Sequence, residues 1–267
     1  MINLFKKYKI KDMIIYLLYI PRIVFSLDNW LQYLKSYNSP FLGVIKFRNG
    51  LKLKLDEPVD TSTISVIFFE RHYGTVKDGS VVIDIGANRG YFSVYAANSG
   101  RNIKVYSFEP INNTYKSLLQ NIKLNNLQNK IIPFNMGVAG SDAVREFSIT
   151  SPISNSMVFL KNSNNIQKVN CISLKSIIDN NNLSKIDIIK MDCEGAEFEI
   201  LFNTPEEYLK KISDIRMEYH NVDDKKLNIE SLKIYLQGQG FKVIKQVPSE
   251  KFGKLLGICH FKRGKVN

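Results

Sequence analysis

The five residues Val81-Val-Ile-Asp-Ile85 constrain the fold of this chain more than any other stretch. A continuous apolar run too short for a helix reads as a strand covered on both faces, as in a parallel sheet flanked by helices. The residues downstream keep to that pattern. Gly86-Ala-Asn-Arg-Gly90 forms a glycine-rich turn, residues 91–98 read as a helix stopped by Gly100, and residues 104–108 read as a second strand. In the next helix Tyr115, Leu118, Leu119 and Ile122 recur at i, i+3, i+4 and i+7, which makes one buried stripe. Further strands are expected at 131–134, 186–191 and 212–219, with Pro133 favouring an edge or strand-end position. Two more should flank an Asn- and Ser-rich loop at 162–165, within residues 144–172. Helices are expected from Thr204-Pro-Glu-Glu207, with a capping-box glutamate, and over 228–238. The last two strands, 241–247 and 256–262, have no long helix between them, so they must pair as an antiparallel hairpin. The expected fold class is α/β.

Upstream, residues 42–55 read as a hairpin around Asn49-Gly50, a dipeptide suited to a type I′ turn, and residues 61–71 as a helix ended by Tyr73-Gly74. Residues 3–37 read as two short amphipathic helices broken at Pro21. The organisation expected is an N-terminal helical extension over 1–39 and one domain over 40–267, its cofactor-binding core starting near residue 74. The run Met13–Ile20, preceded by Lys6, Lys7, Lys9 and Lys11, superficially resembles a signal peptide. Pro21-Arg22 interrupts it and no small-residue cleavage site comes after it, so the extension is expected to pack on the domain. Lying in a membrane interface beside those lysines is the alternative.

Of 267 residues 44% are hydrophobic, which excludes wholesale disorder. Cys171, Cys193 and Cys259 are far apart with no CxxC pair, which argues against a disulfide scaffold or structural zinc and for a reducing, cytoplasmic setting. The net charge of +12 is uneven. Residues 1–39 carry six basic and two acidic residues, and residues 241–267 carry seven and one. A nearly neutral body with basic ends is not the footprint of a nucleic-acid groove.

The turn after the first strand has the pattern D-x-G-x-x-x-G, from Asp84 through Gly86 to Gly90. A dinucleotide fingerprint starting at Gly86 would need glycines where Asn88 and Tyr91 stand. Glycines let backbone approach a ligand closely, and a helix N-terminus offers unpaired N–H groups. Glu109 ends the second strand, where a carboxylate can accept both hydroxyls of a ribose.

Three segments together resemble the motifs of FkbM-type S-adenosylmethionine-dependent methyltransferases. They are residues 81–93 (VVIDIGANRGYFS), Phe108-Glu-Pro110 and residues 189–197 (IKMDCEGAE). The resemblance runs from about Gly74 to His220; Ser154-Asn-Ser156 and Ser173-Leu-Lys-Ser176 are similar to weaker family features. It implies a class I methyltransferase sheet, Rossmann-like, with strand order 3-2-1-4-5-7-6 and an antiparallel strand 7. It also implies methylation of a hydroxyl on a small molecule or glycan. By position, Gly86, Ala87, Asn88 and Gly90 would wrap the methionine part of S-adenosyl-L-methionine, with Asp84 near its ammonium group and Glu109 on the ribose. The adenine would lie against Met136, Gly137 and Val138, with Asp142 as the acid for its amine.

A hydroxyl acceptor must lose its proton to a base or through a bound metal. Candidates belong at the carboxyl ends of strands four and five: Asp192, Glu218 and His220. These three could also form a divalent-cation site, although their spacing is permissive rather than diagnostic. His220 is read as base or ligand, and Glu194 and Glu197 as helix-start carboxylates. Cys193 is read as a buried residue with no Cys–His motif around it, and His72 and His260 as structural or solvated. The rival readings are a nicotinamide-dependent oxidoreductase and a non-catalytic module that keeps the fold.

Overall fold

The computed structural model describes residues 19–36, 42–148, 166–223, 225–249 and 253–264. The weaker motif Ser154-Asn-Ser156 and the expected loop at 162–165 lie outside them. The chain enters through helices α1 (19–26) and α2 (Trp30–Lys35) and a hairpin of β1 (Gly43–Lys46) and β2 (Lys52–Leu55). Helix α3 (Asp60–Ile64) runs directly into a π-helical turn, Ser65–Phe69. Then come β3 (Val81–Ile85), α4 (Tyr91–Asn98), β4 (Lys104–Phe108), α5 (Asn112–Leu124), β5 (Ile131–Phe134), β6 (Gly137–Ala139) and β7 (Ala143–Ser148). After these come β8 (Ile166–Ser173), α6 (Leu174–Asn180), β9 (Ile188–Met191), α7 (Ala196–Phe202) and α8 (Glu206–Leu209). The chain closes with β10 (Asp214–His220), α9 (Ile229–Gly238), β11 (Phe241–Ser249) and β12 (Gly253–Arg263).

Seven strands form the main sheet in the order β11-β12-β10-β9-β3-β4-β5. Read from the other edge, that is the expected 3-2-1-4-5-7-6. Strand β12 runs antiparallel to both neighbours, and β5 with Pro133 sits on the edge, where a missing N–H costs no ladder bond. Strands β6, β8 and β7 make a separate three-stranded sheet.

The sheet is buried on both faces. Ile83 and Ile85 of β3 join a core with α6, α7 and α9, and the intervening Val82 joins the other core with α4 and α5. Ile23, Leu27 and Tyr33 belong to that second core, so residues 19–36 pack on the domain.

Three local expectations are corrected. Residues 19–26 are helical on both sides of Pro21, so the expected break is not found there. At Asn49-Gly50 only Gly50 has positive φ, +88°. Gly50 N–H donates to Phe47 O and Leu51 N–H to Asn49 Oδ1, so a side chain closes this loop and the doubly left-handed type I′ turn is not needed. The Thr204 hydroxyl donates back to Ile200 O, leaving α8 to start after Pro205 with no side-chain cap.

Candidate active site

The site lies at the carboxyl ends of β3, β4, β9 and β10, where ligands bind in open α/β sheets. Gly86 stands at the end of β3 with φ +70°, and a Cβ there would lie 1.9 Å from the carbonyl oxygen of Asp192. Only glycine lets the turn sit against the residue that comes after β9. The N–H groups of the turn are already spent. Those of Gly86 and Ala87 donate to Phe108 O, Asn88 N–H to Glu109 Oε2, Arg89 N–H to Asn88 Oδ1 and Gly90 N–H to Ala87 O. The turn therefore offers a close-approach surface rather than the free donors expected of it.

Asp84 does not face the ligand side as expected. Its side chain is completely enclosed behind the turn, with Oδ2 accepting from Ser93 Oγ at 2.5 Å. Lys190 Nζ lies 3.3 Å from Oδ1, an ion pair without hydrogen-bond geometry, and donates to Gly86 O at 2.8 Å. Burial opposes the Lys190 charge, but Asp84 and Asp192 outweigh it and raise the pKa. Lys190 thus ties β9 to the glycine turn. Its signal was in the sequence: a lysine inside the otherwise apolar Ile188-Ile-Lys-Met191 must be paired if buried.

A cavity of about 300 Å³ opens beside the turn. Of the residues expected to act, Gly86, Ala87, Asn88, Asp192, Glu218 and His220 line it, together with Lys190 and Glu194. Glu218 accepts no hydrogen bond and closes no ion pair among the described residues. Burial, and then the nearby Asp192 carboxylate, push it up to about 7. His220 is in the opposite condition. Its Nδ1 lies 3.2 Å from Glu197 Oε1 and its Nε2 3.6 Å from Glu194 Oε2. Burial works against its charge, yet Glu197, Asp192 and Glu194 together push it up to about 10. An imidazolium has no lone pair to give, so His220 in this setting does not suit the role of base expected of it. Glu197 caps the chain before α7, accepting from Cys193 N–H at 3.0 Å and Gly195 N–H at 2.8 Å, and orients His220 from behind. Burial, reinforced by the Glu197 charge, pushes the Cys193 thiol far up, consistent with an inert residue.

The opposite wall was not legible as site. Val59, Asp60, Ser62, Thr63, Val66 and Ile67, from α3 and the π turn, face the cavity. Arg89 clamps this wall to the glycine turn by pairing with Glu57 and, at 3.2 Å, with Asp60. Tyr73 reaches in from the segment between the π turn and β3. Its hydroxyl is 3.4 Å from Asp192 Oδ2, and its ring lies 5.6 Å from Lys190 Nζ. Arg216 fixes that segment by donating to Tyr73 O and Thr75 O, and Lys245 does so through His72 O.

On the nucleoside side, Glu109 is buried, its oxygens accepting from Asn88 N–H and Ile111 N–H, both at 2.9 Å. Burial outweighs those bonds and raises it to about 7. Each carboxylate oxygen keeps a second lone pair for a ribose hydroxyl. Gly90 lies under Leu118 and shapes the turn without lining the cavity; a Cβ would meet Leu118 Cδ1 at 2.3 Å. Gly137 is enclosed in β6 opposite Cys171, so only the half-buried Met136 offers surface there. Asp142, the residue expected near the adenine amine, is exposed and is engaged with the start of α6. Its Oδ1 accepts from Ser173 N–H and its Oδ2 from Ser176 Oγ, which makes it a brace for the start of α6.

Two ligands can be tested against this arrangement. Asp192, Glu194 and His220 bring one donor atom each within 4.8 Å of one another, a cluster of the size that could hold a cation. S-adenosylmethionine fits better. The glycine turn, whose Asn88 N–H is held by the Glu109 carboxylate, borders an acidic cavity suited to a sulfonium and an ammonium group.

Comparisons with known proteins agree. The model of the Methyltransferase FkbM domain matches residues 84–250. Methyltransferase 1 of Beauveria bassiana is 23% identical over 212 residues, covering 68% of this chain and 81% of that protein. Methyltransferase sdnD of Sordaria araneosa is 24% identical over 194 residues, covering 61% and 73%. The crystal structure of a methyltransferase FkbM from Methylobacillus flagellatus has a TM-score of 0.50 at 16% identity, covering 74% of this chain. The match spans 47% of that structure, about half its length, and speaks for the fold alone. The family match, which takes in the glycine turn, Glu109, Asp192 and the end of β10, removes the support for the nicotinamide and non-catalytic readings: the chain belongs to the FkbM family and is an S-adenosylmethionine-dependent methyltransferase.

Proposed function

We propose that this enzyme methylates a hydroxyl group of a small molecule or glycan, with Glu218 as the base. The observation that carries the reading is Glu218 itself, a cavity-lining carboxyl with no hydrogen-bond or ion-pair partner among the described residues and a pKa pushed up to about 7 by burial. General bases work best when their pKa lies near the operating pH. S-adenosylmethionine supplies an electrophilic methyl on sulfur. With that donor bound, the acceptor oxygen would attack the methyl carbon while the C–S bonding pair leaves with sulfur, and Glu218 would take up the hydroxyl proton. In-line displacement depends on alignment, which Tyr73 and Asp192 would impose on the acceptor from one wall and Ser62 and Thr63 from the other. Glu109 would hold the ribose, and Gly86, Ala87 and Asn88 the methionine portion. The carboxylates Asp192, Glu194 and Glu218 on one wall repel polyanions, which supports a small molecule or glycan over nucleic acid. Three free buried thiols suit a cytoplasmic setting.

The test is to incubate the enzyme with S-adenosylmethionine carrying a ¹³C methyl group and a panel of hydroxylated metabolites and oligosaccharides, and to read the product methyl by NMR. An O-methyl resonance formed in step with S-adenosylhomocysteine is expected. A methyl on nitrogen or carbon would overturn the hydroxyl assignment.

A further inference from the structure

We infer that residues 19–36 form a docking surface for an anionic lipid bilayer. Helices α1 and α2 bury one apolar side in the fold, and each leaves one large apolar side chain outward. In α1, Ile23 is 2% exposed and packs inward, while Phe25 is 78% exposed. Two positions on a helix is about 200°, so Phe25 points away from the core. In α2, Tyr33 is enclosed and Leu31, two positions earlier, is 55% exposed. Leu42, just before β1, is 59% exposed. Buried inner faces thus leave outward apolar side chains that no described residue covers.

Charge selects the occupant. Residues 1–39 hold six basic and two acidic residues, and Lys6, Lys7, Lys9 and Lys11 precede the apolar run Met13–Ile20 that leads into α1. Lys35, Lys46 and Arg48 are exposed around the helices, and Asp28 lies 3.6 Å from Arg48. A second copy would bring the same excess of cations face to face, whereas an anionic surface offsets it. Aromatic and aliphatic side chains beside lysines are the composition of helices that lie in a bilayer interface. No helix among the described residues is long and apolar enough to cross a membrane.

The surface is joined to the active site. Arg22 donates to Phe69 O at 2.8 Å and lies over the Tyr19 ring, which ties α1 to the π turn. That turn supplies Val66 and Ile67 to the cavity wall. Docking would hold the acceptor wall in fixed relation to the lipid surface.

The experiment floats the full chain with phosphatidylcholine vesicles, with and without phosphatidylglycerol. Trp30, the one tryptophan of the chain, lies in α2 and reports insertion by its emission. Binding at least about tenfold tighter to the anionic vesicles is expected, weakened by high salt, with a blue shift of Trp30. A double variant, Phe25→Glu with Leu31→Glu, should lose at least about tenfold in vesicle affinity while its melting temperature and S-adenosylhomocysteine affinity stay unchanged. Lack of flotation, equal binding to both vesicles, or undiminished binding by a folded double variant would overturn the inference. Dimeric wild type that the double variant turns into monomer, with no flotation, would assign the surface to a second copy instead.

Discussion

Replacing Lys190 with methionine isolates the buried ion pair under the glycine turn. The side chains are similar in length, so packing is largely kept while the charge is removed. Asp84 then remains with 0% exposure, one oxygen on Ser93 Oγ and the other facing no cation. Breaking a buried pair from one side costs about 3–5 kcal/mol, because an uncompensated charge is left behind. For a domain of this size each kcal/mol lowers the melting temperature by about 2–4 °C, so a drop of about 6–20 °C is expected in differential scanning calorimetry. Adding Asp84→Asn removes the stranded charge and should restore at least half of the loss, a coupling read as a double-mutant cycle. S-adenosylhomocysteine affinity should fall as well, because Lys190 Nζ also holds Gly86 O. A loss below about 1 kcal/mol, or a double variant no more stable than the single one, would refute the pairing as the reason for this lysine.

Two further outcomes separate the cofactor site from its surroundings. Glu109→Ala should weaken S-adenosylhomocysteine binding at least tenfold by calorimetry, since losing hydrogen bonds to a charged acceptor costs about 1.5–3 kcal/mol. Asp142→Ala should lower stability by about 1 kcal/mol in urea titrations, as loss of a helix-start brace does, and leave cofactor affinity within twofold.

Much of the fold was legible because buried parallel strands advertise themselves as apolar runs, as at Val81–Ile85 and Ile188–Met191. The terminal hairpin was legible because its two strands have no helix between them long enough to cross over. Positions at strand ends, Asp192, Glu218 and His220, could be assigned from the strands that carry them. Their protonation could not. The proton on His220 depends on Glu197 and Glu194, and the raised Glu218 on burial and Asp192, all set by how β9, α7 and β10 meet. Tyr73 and the wall from Val59 to Ile67 carry no motif, because they reach the site by packing across the sheet from another part of the chain. Asp142 has a contact its place in the sequence did not show: its carboxylate braces the start of α6.

The claim that Glu218 removes the acceptor proton is tested most directly by the pH dependence of single-turnover methyl transfer in wild type and Glu218→Gln. A base with a pKa of about 7 is half ionised there, and the rate should fall about tenfold for each pH unit below. The wild-type profile should therefore rise to a plateau through pH 7, and the glutamine variant should lose that limb with a rate lower by about 10²–10⁴. A limb at the same pH in Glu218→Gln, or a plateau rate close to that of wild type, would contradict the account.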